Sequence, residues 1–160
     1  MTLEQDIAGS ASASDALDII VRHFAADSGT IHVLGEDGLL HLLAIRGEFP
    51  ESVLAAIRVI PPGKGMAGLA FQRGEPVDSC NIQTDTSGDV RTGARATGLG
   101  GAIVVPIFQR GDIIGTLGIA SRAERTFNEM EISLLMAAAR MMSGRNMFNE
   151  PDTPIPGPFL

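Results

Sequence analysis

Apolar residues recur at helical spacing near both ends of the chain, and between them lie two blocks with the look of strand hairpins. Leu17, Ile20, Val21 and Phe24 fall at i, i+3, i+4 and i+7, with Ser12 or Ser14 placed to cap that helix and Asp27-Ser28-Gly29 to stop it. Thr30 to Leu34 and Leu39 to Arg46 read as strands joined by the turn Gly35-Glu36-Asp37-Gly38. Pro50 to Ile57 reads as a short helix. A glycine-rich segment and a second short helix, from about Met66 to Arg73, follow it, and then a brief strand near Val77-Asp78. Ala102 to Phe108 and Ile113 to Ala120 form a second hairpin turning at Gln109-Arg110-Gly111-Asp112. The last helix opens on a capping box, Thr126 with Glu129, and runs to about Ser143-Gly144. This order predicts an α+β domain. A central antiparallel sheet carries the terminal helices on one face and short helices and loops, forming a pocket, on the other.

The organisation predicted is an N-terminal extension over 1–9, one domain over 10–146 and a proline-rich tail over 147–160, extended from Asn149 onward. Between the hairpins, Asn81 to Gly101 is a long polar stretch rich in glycine and threonine, and in a compact domain such a loop tends to be functional. At 160 residues the chain is long enough to bury roughly 70% of its unfolded surface. Its 19 acidic against 12 basic residues give a net charge of −7, which opposes binding to nucleic acid or an anionic membrane. The single cysteine, Cys80, allows no internal disulfide and fits a reducing compartment. No run reaches the roughly 20 apolar residues of a membrane span, and the N-terminus lacks the basic region of a signal peptide. The expectation is a cytoplasmic protein that needs no cofactor.

Gly63-Lys64-Gly65-Met66-Ala67-Gly68 matches the G-x-G-x-x-G pattern of dinucleotide sites but not its surroundings. Pro61-Pro62 interrupts the approach, Gly74 ends the helix within about two turns, and Asp78 arrives too early for the ribose. What is left is a short helix whose first N–H groups are exposed by glycines, a cradle for a small polar or anionic group.

Taken in order, several segments resemble the GAF domain family of small-molecule sensors over about residues 10–143. They are Ser28-Gly29-Thr30-Ile31-His32, Ile60-Pro61-Pro62-Gly63-Lys64-Gly65-Met66-Ala67-Gly68-Leu69-Ala70 and Gly74-Glu75-Pro76-Val77, then Val104-Val105-Pro106-Ile107 and Ile113-Ile114-Gly115-Thr116-Leu117-Gly118-Ile119, with Phe127 and Glu131 completing the run. The resemblance implies the GAF fold and a ligand pocket, without naming the ligand. Relatives that reduce free methionine sulfoxide carry a cysteine where Ala67 stands and more in the following loop; Asp89 to Gly101 contains none. A thiol redox cycle needs both a thiolate and a resolving partner, so that activity is not expected. Of the cyclic-nucleotide pattern only Phe127 and Glu131 remain, and the Asp-Ile-Pro motif and tyrosines of bilin binders are absent. In size and build the chain is similar to stand-alone receptors such as the bacterial nitrate receptor. That likeness implies an anion held at the backbone of the same short helix.

The candidate ligand site therefore takes its N–H donors from Gly65, Met66, Ala67 and Gly68, and its apolar walls from Phe49, Met66 and Leu69, with Val104 on the sheet. Arg91 and Arg95, four apart, close over an anion or are ordinary solvated charges. Thr84 and Asp85 contact ligand or satisfy a turn. Cys80 is favoured as a small buried hydrophobe, with a ligand-facing thiol as the alternative. A four-residue turn pairs 34 with 39 and 33 with 40, which sets His32 against His41 as a structural pair rather than a metal site. No catalytic motif such as G-x-S-x-G or H-E-x-x-H is present, which favours a binder over an enzyme. A ligand-free scaffold subunit and an enzyme of another class are the alternatives.

From Leu134 to Met142 every residue but Arg140 is apolar. Leu135, Met136, Ala139 and Met142 fall outside the stripe Met130, Leu134, Ala138, Met141, and this surplus is read as a homodimer seam through the terminal helices. Deeper burial by the first helix of the same chain is the alternative. Signalling is expected to pass through a separate partner, a histidine kinase or a transcription regulator.

Overall fold

The computed structural model describes residues 2–145, 147 and 148, so the extended tail expected from Asn149 lies outside the described residues. The elements are α1 (Leu3–Ala8), α2 (Ala13–His23), β1 (Ser28–Leu34), β2 (Leu40–Arg46), α3 (Glu51–Ile57), β3 (Val59–Ile60), α4 (Gly65–Arg73), β4 (Val77–Ser79), a 3-10 helix (Thr92–Thr97), β5 (Ala102–Gln109), β6 (Asp112–Ala120) and α5 (Glu129–Gly144). The six strands form one sheet in the order β3-β2-β1-β6-β5-β4, every pair antiparallel. The terminal helices cover one face and α4 packs on the other, as the apolar pattern predicts.

Helix α1 lies within the N-terminal extension over 1–9. Thr2 and Gln5 form a reciprocal capping box, the Thr2 hydroxyl accepting from Gln5 N–H at 3.1 Å and Gln5 Oε1 accepting from Thr2 N–H at 3.0 Å. Leu3 and Ile7 are buried in the core that α1 shares with α2 and α5. Helix α2 is capped by Ser12, and it stops before Asp27 because Ala25 takes a left-handed conformation at φ 51°. Helix α5 starts two residues beyond the expected cap. Asn128, not Thr126, accepts from Glu131 N–H at 2.8 Å, while Glu131 Oε1 accepts from Asn128 N–H and Oε2 from Arg125 at 3.0 Å. Phe127, buried just ahead of the cap beneath the Arg125 guanidinium, belongs to the core and holds the chain outside the helix there.

The seam proposed on α5 is already covered. Leu135 is 1% exposed, Ala139 and Met142 are fully buried, and Met136 is partly buried against the same core. The covering surfaces are α1, α2, Met147, Phe148 and the sheet, so the deeper burial by the same chain is what occurs. The large apolar side chain that α5 leaves exposed is Met130 instead.

The first hairpin turns through five residues, not four. Gly35 N–H donates to Leu39 O at 2.8 Å and Gly38 sits at φ 78°, so Leu39 belongs to the turn and Leu34 pairs with Leu40. His32 therefore pairs with Leu42 and His41 with Val33, and because successive side chains alternate, the two imidazoles lie on opposite faces. His41 is bound by Asp37 at 2.9 Å within the turn. A short β3, unexpected from the sequence, extends the sheet beside β2.

Alternation also gives the sheet two unlike faces. Ile31, Ile103, Val105, Ile107, Leu117 and Ile119 meet the terminal helices. On the other face, the residues in register across β1, β6 and β5 are small: Ser28 with Ala120 and Ala102, and Thr30 with Gly118 and Val104.

Candidate functional site

Small side chains on that second face leave space above them. A cavity of about 390 Å³ lies over the floor made by Ser28, Thr30, Ala102, Val104, Gly118 and Ala120. Gly118 sits at its centre, where a Cβ would come within 3.2 Å of Val104 and 3.3 Å of the Thr30 hydroxyl. Phe49 with Val53, Ala56 and Ile57 of α3 forms one wall, and the first turn of α4 forms another. The roof is the segment Ile82–Leu99, whose middle is the 3-10 helix. Gln83 ties that roof to itself, its side-chain amide donating to Arg95 O at 3.1 Å and Leu99 O at 2.9 Å. A bidentate Arg73–Asp89 pair, at 2.9 and 3.1 Å, pins it to α4.

The glycine motif shapes the rim. Gly65 has φ 65°, and the Arg91 stem lies so close over it that a Cβ there would fall 2.8 Å from Arg91 Cδ. Gly68 is consumed by the loop itself. Its carbonyl accepts from Gly63 N–H at 2.8 Å, its own N–H donates to Lys64 O, and a Cβ would stand 2.6 Å from Pro61 O. The first-turn N–H groups of Gly65, Met66 and Ala67 have no intrahelical partners, and among the described residues no side chain caps α4 at this cavity wall.

Of the residues singled out in the sequence, the structure brings Phe49, Gly65, Met66, Ala67, Arg91 and Val104 to the cavity. It places six elsewhere. Gly68 packs on Pro61, and Leu69 packs beside Ala70 and Val77. Thr84 N–H closes a turn on Asn81 O. Asp85 accepts from the Ser79 hydroxyl at 2.8 Å and from Ser87, whose hydroxyl does most to hold the carboxylate pKa below its usual range. Cys80 is exposed and outside the cavity, neither a buried hydrophobe nor a wall thiol. The two-arginine clamp does not form, because Arg95 turns away to donate to Asp85 O at 3.1 Å.

His32 is the wall residue whose place the sequence reading missed. It is 2% exposed, and its Nε2–H donates to Ile57 O at 2.7 Å, tying the end of α3 to the sheet. Burial pushes its pKa down to about 4 against the raising effect of that bond, with a smaller lowering from the charge on His41. The ring is thus neutral at pH 7. Its Nδ1 and the Thr116 hydroxyl, on residues directly opposite across β1 and β6, are both buried without a hydrogen-bond partner among the described residues. The signal for the floor was present in the sequence as alternating large and small residues, in Thr30-Ile31-His32 and in Leu117-Gly118-Ile119-Ala120.

A curved antiparallel sheet with terminal helices behind it and a roofed cavity in front defines a ligand-binding α+β domain. The sequence matches the profile of the GAF domain over residues 12–143, and the chain belongs to that family, whose members commonly bind small ligands in sensing and signalling. No protein of curated function matches it. Solved structures that share the fold include three of known origin. The GAF domain of an Acinetobacter phosphoenolpyruvate-protein phosphotransferase is 24% identical, with a TM-score of 0.66 over 89% of this chain and 86% of that one. Free methionine-R-sulfoxide reductase from Neisseria meningitidis, solved with its substrate, is 21% identical with a TM-score of 0.73, covering 89% and 83%. The type II enzyme from Thermoplasma acidophilum is 21% identical with a TM-score of 0.69, covering 89% and 94%. The fold thus occurs both in a phosphotransferase's GAF domain and in reductases. Among the described residues, no helix is long and apolar enough to cross a membrane.

Proposed function

We propose that this GAF domain is a cytoplasmic, non-catalytic sensor that binds a small polar or anionic molecule in the cavity between sheet and roof. A separate signalling protein, such as a histidine kinase or transcription regulator, reads the occupied state. The observation that carries this reading is the 390 Å³ cavity, a volume typical of small-molecule sites, with the uncapped first turn of α4 on its wall. Binding is favoured over sulfoxide reduction because the single thiol, Cys80, is exposed away from the cavity, which leaves no thiol at the wall. A ligand held by the native state alone raises the unfolding midpoint with concentration. Thermal shifts are therefore expected for at least one compound in a panel of oxyanions, carboxylates, amino acids and nucleotides. A flat response across the panel, with the protein folded, refutes the sensor.

A further inference from the structure

The cavity is much larger than an inorganic anion. At about 30 Å³ per water, 390 Å³ corresponds to roughly a dozen non-hydrogen atoms. A nitrate would leave most of it to water facing Phe49, Val53, Ile57, Met66 and Leu99, which offer no hydrogen bonds, and an ordered buried water needs two to four polar partners.

The charges on the wall have one sign. Among the described residues no aspartate or glutamate lines the cavity, whereas Lys64 and Arg91 both do. Neither of these cations lies within salt-bridge distance of a carboxylate among the described residues, while Arg73 and Arg125 are each paired. Both stand at the start of α4, where the uncapped N–H groups add a positive end of their own. His32 contributes no charge at pH 7. An ammonium group brought inside would find no counter-ion.

We infer that the ligand is an amphiphilic organic anion without an amino group. Its carboxylate or similar head lies at Lys64, Arg91 and the first turn of α4, and its aromatic or aliphatic body lies on the floor around Gly118. This rests on the sensor reading and narrows it, since it sets aside both inorganic oxyanions and free amino acids.

The test uses the whole chain at pH 7.5 with defined probes, read by calorimetry and thermal shift. The acids 4-phenylbutyrate, octanoate and 1-naphthoate are compared with 4-phenylbutan-1-ol, 4-phenylbutylamine, homophenylalanine, acetate and nitrate. The expected result is that at least one of the three acids binds about tenfold or more tightly than the alcohol, and that the amine and the amino acid do not bind. The double variant K64A/R91A, both positions exposed and outside the core, is expected to bring acid and alcohol close to parity. Filling the floor with Val104→Phe, or the roof with Ala94→Phe should the first not fold, is expected to abolish binding of the acid. Equal binding of acid, alcohol and amine overturns the anionic head. Shifts confined to nitrate, acetate or amino acids overturn the inference but keep the sensor. No shift with any compound in either panel overturns both.

Discussion

Acidification from pH 7 to pH 5 is expected to destabilise the folded domain through His32. Its pKa falls from 6.5 in the unfolded chain to about 4 in the folded one, chiefly because burial disfavours the imidazolium. Between those values the unfolded chain binds a proton that the native state refuses, so stability falls as pH falls through that window. Above pH 6.5 both states are neutral and the effect vanishes; below about 4 it is complete, at about 3 kcal/mol for a displacement of this size. At pH 5 the loss is about 2 kcal/mol. The carboxylates of Asp37, Asp85 and Glu131, whose pKa values are lowered, contribute stability that is lost only from their unfolded values of 3.8 and 4.5 downward. The interval from pH 5 to 7 thus isolates histidine. Urea unfolding is best followed by far-ultraviolet circular dichroism, because the chain has no tryptophan or tyrosine. Comparison with His32→Gln, whose amide can still donate to Ile57 O, removes the contributions of His23 and His41. The wild type should lose about 2 kcal/mol more than the variant between pH 7 and 5. Identical pH slopes for the two proteins would refute the reasoning.

Three further outcomes check the fold itself. Asn128→Ala should cost about 1 kcal/mol in denaturant unfolding and Thr126→Ala less than about 0.5, because Asn128 caps α5. Leu135→Ala should cost about 2–5 kcal/mol even in the monomer, whereas Met130→Ala, at a side chain 81% exposed, should leave the unfolding midpoint nearly unchanged. Gly68→Ala drives a methyl group to 2.6 Å from Pro61 O and should lower the melting temperature well below that of Gly93→Ala, where nothing stands within 4 Å.

Most of the architecture was legible in the sequence because it follows from periodicity and turn chemistry. The spacing of Leu17, Ile20, Val21 and Phe24 located α2, and Gly74 located the end of α4. What escaped depends on choices between neighbouring residues of similar chemistry. Both Thr126 and Asn128 offer a cap with a glutamate three positions on, and it is the burial of Phe127 that decides between them. Leu39 had to be assigned to strand or turn, and its place in the turn moved His41 to the other face. The candidate site was legible where the backbone specifies it, at Gly65, Met66 and Ala67, and where Arg91 must pass over a glycine. It was not legible in Ile82–Leu99, where the assignments of Thr84, Asp85 and Arg95 rest on hydrogen bonds between residues whose order the chain pattern does not encode.

Each strand of the central sheet is divided between two environments. Ile31, Ile103, Leu117 and Ile119 answer to the packing behind the sheet, whereas Thr30, Val104, Gly118 and Ala120 line the cavity in front of it. A substitution at the second set changes the volume and polarity offered to a guest while the first set keeps the scaffold closed. Changes in the cavity can therefore be made at alternate positions without touching the residues that face the terminal helices. The sheet thus separates, along a single strand, the residues that shape the cavity from those that hold the domain together.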